Sequence, residues 1–266
     1  MKNLNIYTIY HRNELYHQYK LFETDKIKPI NIKNIITDND NFLIKYNAQL
    51  SEFATMFYIW KNNIKSDYIG FQHYRKKFSL KQIFMYGNQC HKLNEDIKSY
   101  NIDNLDDYNI FIFSSYPYKD IEYVFKNIKD VLYEEDYMIL ENYILTKYND
   151  LYDKFKNLSL IGNDSIFLRF ECFICKWEYF DQYMRFIIGL FNEFGLNLLD
   201  NNEQICLSID NIINKNTFIL KPYINNHFYG ENGKNRKIAY FIEFICALYF
   251  YLMPYKLIQN YKLIEK

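Results

Sequence analysis

The segment Asn47 to Phe78, NAQLSEFATMFYIWKNNIKSDYIGFQHYRKKF, constrains the fold more than any other part of this sequence. Apolar residues recur in its first half at spacings of three and four, which predicts an amphipathic helix: Leu50, Phe53, Phe57 and Trp60. Ser51 is a candidate N-cap, with Ala48 as an alternative start, and Asn62 and Asn63 supply the helix exit. The run YIGF that follows is typical of a buried strand. A helix leading directly into a buried strand indicates an α/β protein.

Further strands and helices alternate along the chain of 266 residues. The run LNIYTIY, Leu4 to Tyr10, predicts a first strand followed by the polar loop HRNE, and residues 108–113 predict another strand. Residues 121–148 have the pattern of one or two helices, and residues 165–195 that of a strand and an amphipathic helix. Since 49% of the residues are hydrophobic, the sequence predicts an α/β domain with a mostly parallel central sheet flanked by helices.

Charge and cysteine content exclude several classes of protein. Lys plus Arg and Asp plus Glu both number 32, so the net charge is zero and no overall field gathers nucleic acid. Any anion site must therefore be local. Cys172 and Cys175 form a CxxC motif in bulky apolar surroundings, which favours core thiols over zinc or redox chemistry. The first residues lack the long apolar stretch and cleavage site of a secretory signal, so we expect a cytoplasmic protein.

The residues directly after the YIGF strand are the strongest candidates for ligand binding. Strand alternation would direct His73 and Arg75 to one side and Tyr74 to the other. A planar guanidinium and an imidazole both suit phosphate oxygens, so a diphosphate is a natural ligand. The alternative is a solvated basic turn.

Carboxylates near this segment allow other readings. Asp38 and Asp40 form an Asp-x-Asp pattern in a loop, which is typical of a turn and, as a weaker alternative, of a metal site. Glu52 stands in the first turn of the predicted helix, where a carboxylate is favourable against the helix dipole.

The C-terminal residues form a distinct tail. Its apolar run, Ile238 to Met253, would reach about 24 Å as a helix, short of the roughly 30 Å hydrocarbon core, and contains Glu243. Basic residues exceed acidic ones from residue 234 onward: Lys234, Arg236, Lys237, Lys256, Lys262 and Lys266. The tail therefore predicts either an amphipathic helix on an anionic membrane surface or a helix packed on the domain or on a second subunit.

The same central segment resembles a known family. Its pattern E-x-x-A-x-x-Y-x-W-K-N followed by D-Y-x-G-x-x-H-Y-R-x-x-F is similar to that of bacterial capsular-polysaccharide and lipopolysaccharide proteins. That family is described as a domain of unknown function and regarded as glycosyltransferases. The resemblance covers roughly residues 1–225 and includes FECFICKWEYFDQY. Glu171 stands where the family usually has asparagine, and SIDN, Ser208 to Asn211, replaces Ser-Glu-Arg-Leu, so that Asp210 follows the position of the family's glutamate.

The resemblance implies a GT-A-like, Rossmann-like fold that holds a nucleotide sugar at the carboxyl ends of its strands. The implied donor-binding residues are His73, Arg75, Tyr74, Tyr10 and Asp38. The implied catalytic or orienting carboxylates are Glu171, Asp210 and Glu52. His73 and Arg75 would supply the charge that a metal brings in other enzymes of this fold, so no cofactor is obligatory, and Mn²⁺ or Mg²⁺ at Asp38 and Asp40 stays an alternative.

We therefore expect a glycosyltransferase that moves a sugar from a nucleotide donor, first of all a UDP-sugar, to a capsule or lipopolysaccharide acceptor. Residues 1–230 would form the catalytic domain and residues 231–266 the helical tail. The expected partners are the nucleotide sugar and a glycan or lipid-linked glycan, with peripheral contact of residues 234–266 to the inner face of the cytoplasmic membrane and no nucleic acid. The alternatives are a non-catalytic glycan-binding protein of the same fold and a phosphotransferase acting on glycans.

Overall fold

A computed structural model describes nine stretches of the chain: 3–36, 40–74, 110–112, 128–158, 173–215, 217–218, 220–221, 236–253 and 257–259. The strands are β1 (Leu4–Ile9), β2 (Ile27–Ile30), β3 (Tyr68–His73), β4 (Ile110–Ile112), β5 (Phe173–Lys176) and β6 (Leu257–Gln259). The α-helices are α1 (Asn13–Gln18), α2 (Asn41–Lys45), α3 (Asn47–Leu50), α4 (Glu52–Lys61), α5 (Glu134–Lys147), α6 (Tyr152–Lys156), α7 (Trp177–Glu193), α8 (Asn202–Asn214) and α9 (Lys237–Leu252). Short 3₁₀ turns cover Ile32–Asn34, Ile128–Asp130 and Asn149–Leu151.

These strands form one mixed sheet in the order β2-β1-β3-β5-β4-β6. Strands β2, β1 and β3 pair in parallel, as do β4 and β6, whereas β5 runs antiparallel to both of its neighbours. The prediction of a mostly parallel α/β sheet flanked by helices is therefore confirmed, with β5 as the exception.

The order of the first three strands creates a binding position. The chain leaves β1 toward β2 on one side, and β3 then pairs with the other side of β1. A reversal of this kind leaves a crevice at the carboxyl ends of the two strands, where α/β proteins bind ligands. The ends are level, since Ile9 of β1 is in register with both Ile30 of β2 and His73 of β3.

One helical layer covers a face of the sheet with an aromatic core. Phe71 of β3 lies 5.0 Å from Phe180 of α7, measured between ring centroids, and Phe53 of α4 lies 5.7 Å from Phe191 of α7. All four rings are buried. The buried thiol of Cys175 in β5 belongs to the same core, as predicted, and Cys172 lies outside the described residues.

The predicted helix before β3 is divided in two. Helices α3 and α4 are separated by Ser51, which has a backbone φ of 49° and ψ of −131°. The exit of α4 is as predicted: Asn63 has φ 54°, and its N–H donates to the Trp60 carbonyl while the Ile64 N–H donates to that of Ile59. This double hydrogen bond is the Schellman arrangement, which Asn favours because it tolerates a left-handed conformation.

The C-terminal helix α9 packs inside the domain. Every one of its residues is buried except Tyr240, Glu243 and Tyr251, and Phe250 lies 4.9 Å from Phe173 of the sheet, between ring centroids. Of the two arrangements considered for this segment, α9 has the packed one. The membrane contact of residues 234–266 stays a prediction. The apolar side chains of α9 that are buried in the protein do not face a membrane surface. No helix in the described part of the chain is long and apolar enough to cross a membrane.

Candidate functional site

A cleft of about 490 Å³ opens at the carboxyl ends of β1 and β3, at the crevice that the strand order creates. Residues from five parts of the chain line it. Tyr10, His11 and Arg12 follow β1, and His73 ends β3, with Tyr74 directly after it. The other lining residues come from the 3₁₀ turn after β2, from the α2–α4 segment, and from Arg236 before α9. The carboxyl ends of the adjacent strands β1 and β3 therefore fix the positions of the side chains that follow them.

A buried pair of side chains, Glu52 and His73, lines this cleft. The Nε2 atom of His73 is 3.2 Å from Oε1 of Glu52, and both side chains are buried. The Ser51 hydroxyl donates a hydrogen bond to Oε2 of the same carboxylate. Burial by itself would raise the pKa of Glu52, but the charge of His73, the hydrogen bond from Ser51 and the nearby Arg236 outweigh burial and hold this pKa below its usual value. Glu52 is therefore a carboxylate that stays ionised although it is buried.

The backbone conformation of Ser51 sets the position of Glu52 relative to His73. A positive φ in a residue other than glycine costs on the order of 1–3 kcal/mol and persists where the surrounding structure imposes it. Ser51 was a candidate for a side-chain N-cap, but its hydroxyl binds the Glu52 side chain and makes no cap hydrogen bond. The turn at Ser51 lets α4 begin at the cleft, so that Glu52 faces His73.

The rim of the cleft is basic. Four cationic residues line it: Arg12, Lys33, Lys45 and Arg236. Among the described residues that line the cleft, Glu52 is the only carboxylate, and His73 already pairs with it. A chain without net charge thus concentrates positive charge at one cleft, which suits an anionic ligand.

Aromatic rings form one wall. The ring of Tyr74 lies 4.0 Å from that of His73 and 5.5 Å from that of His11, measured between centroids. Strand alternation predicted opposite sides for His73 and Tyr74, but β3 ends at His73, and Tyr74 in the following turn lines the same cleft. Tyr10 is buried beside them and belongs to a small cluster with Tyr74. These rings offer flat surfaces for a base or a sugar.

The structure brings together Glu52, His73, Tyr74 and Tyr10 of the predicted site residues. Asp210 lies outside the lining of the cleft, on the exposed side of α8, with Oδ2 3.8 Å from Nζ of Lys45. Arg75, Glu171 and Asp38 lie outside the described residues. Their roles stay predictions.

The alternative metal site includes one described residue, Asp40. This carboxylate is buried, and its Oδ1 atom accepts a hydrogen bond from Nζ of Lys61 at 2.7 Å. The pair joins the start of α2 to the end of α4. Among the described residues, no group of three or more His, Cys, Asp or Glu side chains is arranged to hold a metal ion.

Sequence reasoning missed Thr55 and the four cations of the rim. Arg12 had a signal, because it belongs to the polar loop after the first strand. Arg236 had no such signal in the sequence, since it stands 185 positions from Ser51 and no local pattern joins the two.

Comparisons with known proteins agree with this architecture. The chain aligns over 97% of its length with the apo structure of WbbM, a bifunctional glycosyltransferase, with 17% identity and a TM-score of 0.62. The chain covers 44% of that structure, less than half of its length. The shared fold confirms the GT-A-like prediction. No curated protein sequence matches the chain.

The family described as "Domain of unknown function (DUF4422)" matches residues 5–204, which include the cleft-lining segments of β1, α2–α4 and β3. The match agrees with the predicted resemblance to a domain of unknown function. It spans about three quarters of the chain. The protein therefore belongs to the DUF4422 family.

Proposed function

We propose that this protein is a glycosyltransferase that moves a sugar from a nucleotide-sugar donor to a bacterial surface glycan of the capsule or lipopolysaccharide type. One observation carries the proposal: a cleft with a basic rim lies at the carboxyl ends of β1 and β3, on a fold similar to that of a known glycosyltransferase. A nucleotide sugar has the chemistry that such a cleft suits, since it combines a flat base, a diphosphate and a sugar.

The charges of the cleft match the leaving group of this reaction. Transfer from a UDP-, GDP- or dTDP-sugar releases a nucleoside diphosphate, and negative charge develops on its phosphate oxygens as the bond between sugar and phosphate breaks. Prearranged cations at this position stabilise the developing charge more in a cleft than in water. Arg12 and Lys33 line the same cleft as His73, and Arg75 follows Tyr74 in the sequence as the further predicted donor ligand.

The Glu52–His73 pair gives the cleft a fixed hydrogen-bonding group. Glu52 holds Nε2 of the imidazole through a contact of 3.2 Å, and the ring of Tyr74 lies beside the imidazole, 4.0 Å away between centroids. An imidazole oriented by a carboxylate can donate to a phosphate oxygen or transfer a proton. Glu52 therefore acts as an orienting residue in this proposal, and His73 as the residue that meets the donor.

Calorimetry and thermal shift with UDP-, GDP-, CMP- and dTDP-sugars, with and without Mn²⁺, test the proposal. We expect wild type to bind one nucleotide class and Arg75→Ala to bind it at least about tenfold more weakly, because one charge-assisted hydrogen bond is lost. Arg185→Ala is the matched control, since Arg185 pairs with Asp181 on α7 and does not line the cleft.

Absence of binding to every nucleotide sugar would refute the proposal. Binding of a nucleotide sugar without transfer of its sugar to any glycan acceptor, and so without release of the nucleotide, would favour the non-catalytic alternative. Binding only with Mn²⁺ would direct attention to Asp38 and Asp40.

A further inference from the structure

The last helix reaches the cleft although it lies beyond the residues that match the family. The match ends at residue 204, whereas Arg236 immediately precedes α9 and lines the cleft. Its Nη2 atom donates to the Ser51 hydroxyl at 3.4 Å. Among the described residues, Ser51 is the only side chain that accepts a hydrogen bond from Arg236. A guanidinium has five N–H donors, so one long hydrogen bond uses little of its capacity.

Neighbouring contacts hold Arg236 in this position. Lys237, the next residue, is buried, and its Nζ atom donates to the carbonyl oxygens of Ile212 and Lys215 at 2.5 and 2.6 Å. These bonds tie the start of α9 to the end of α8. The guanidinium of Arg236 lies over the ring of Tyr240, with its carbon 5.4 Å from the ring centroid. An exposed arginine is thus fixed at both its backbone and its side chain.

A second observation at the same cleft indicates a ligand. Thr55 lines the cleft one helical turn after Glu52 and has only 1% of its surface exposed. Its hydroxyl finds no hydrogen-bond partner within the part of the chain that the structure describes. A buried hydroxyl without a partner costs free energy, so such groups are rare unless another molecule satisfies them.

We propose that Arg236 and Thr55 bind a phosphate of the nucleotide-sugar donor, with Arg236 as a charged ligand and Thr55 as a hydroxyl donor. The inference rests on the proposed function and deepens it, because it assigns part of the donor site to a segment outside the family match. Thr55 of α4 and Arg236, which precedes α9, line the same cleft, and the start of each helix is joined to the other by the hydrogen bond between Arg236 and Ser51.

Isothermal titration with UDP, GDP and inorganic pyrophosphate, on Arg236→Gln, Thr55→Val and Thr55→Ser, tests this assignment. We expect Arg236→Gln to weaken diphosphate affinity about ten- to a hundredfold, since a charge-assisted hydrogen bond to phosphate is lost. The melting temperature should fall only slightly, because this side chain is exposed and its charge is the last of the contributions that keep Glu52 ionised. Arg185→Gln, which removes the same charge far from the cleft, should bind as wild type does.

Thr55→Val separates a ligand role from a structural one. Valine has the shape of threonine without the hydroxyl, so the variant should be as stable as wild type or more stable, yet bind diphosphate several-fold more weakly. Thr55→Ser should keep the affinity. Unchanged diphosphate affinity in both Arg236→Gln and Thr55→Val, with wild type still binding a nucleoside diphosphate, would overturn this inference and leave the proposed function standing. No binding of any diphosphate to wild type would overturn both.

Discussion

Removal of the His73 side chain should destabilise the protein strongly through Glu52. In His73→Leu the Glu52 carboxylate stays buried and loses the partner 3.2 Å away. Breaking a buried pair on one side costs about 3–5 kcal/mol. The hydrogen bond from Ser51 and the charge of Arg236 remain and relieve part of this cost, so we expect a loss of about 2–4 kcal/mol in the free energy of unfolding. For a chain of this size that loss lowers Tm by roughly 4–16 °C.

Urea unfolding at pH 7.5, followed by circular dichroism, measures this loss. The double variant Glu52→Gln/His73→Leu gives the sharper test, because glutamine removes the unpaired charge. It should be more stable than His73→Leu alone. His17→Leu, on the exposed side of α1, is the control and should change stability by less than about 0.5 kcal/mol. A double variant less stable than His73→Leu would contradict the coupling between the two side chains.

Three further predictions concern Glu52, Gly70 and Lys237. The pKa of Glu52 is lower in the folded state than in the unfolded state. Its contribution to stability is therefore present above the unfolded pKa of about 4.3 and is lost as pH falls. The free energy of unfolding measured against pH should show the advantage of wild type over Glu52→Gln shrinking below that pH. Gly70→Ala should cost about 1–3 kcal/mol in denaturant unfolding, since a Cβ atom there would lie 2.8 Å from Cγ1 of Ile174, and the cost should be smaller when Ile174→Ala is present. Burial lowers the pKa of Lys237 to about 8, so the folded state loses this proton at a lower pH than the unfolded state does. Wild type should therefore gain stability relative to Lys237→Met as pH rises from 8 to about 9.5. A stability difference that does not change with pH would contradict the shift.

The local sequence pattern was sufficient to predict the strand and the helix that carry the candidate site. Strand β1 and helix α4 could be predicted because their apolar residues repeat with the period of the element, and Asn63 marks the helix exit. His73 and Glu52 were predicted as site residues from the same segment, and both line the cleft. The predicted strand YIGF extends two residues further, to His73, because Gln72 is buried in the sheet and donates to the Thr8 hydroxyl at 2.6 Å.

The sequence by itself determined a mostly parallel α/β sheet and a basic, histidine-containing segment at the end of one of its strands. Only the tertiary structure placed β5 antiparallel between β3 and β4, broke the helix at Ser51, and brought Arg236 to the cleft across 185 positions of sequence. The physical reason is the separation along the chain over which each interaction acts. Periodicity and capping act between residues a few positions apart, whereas strand pairing, backbone strain and the burial of α9 depend on segments that meet only when the whole core packs.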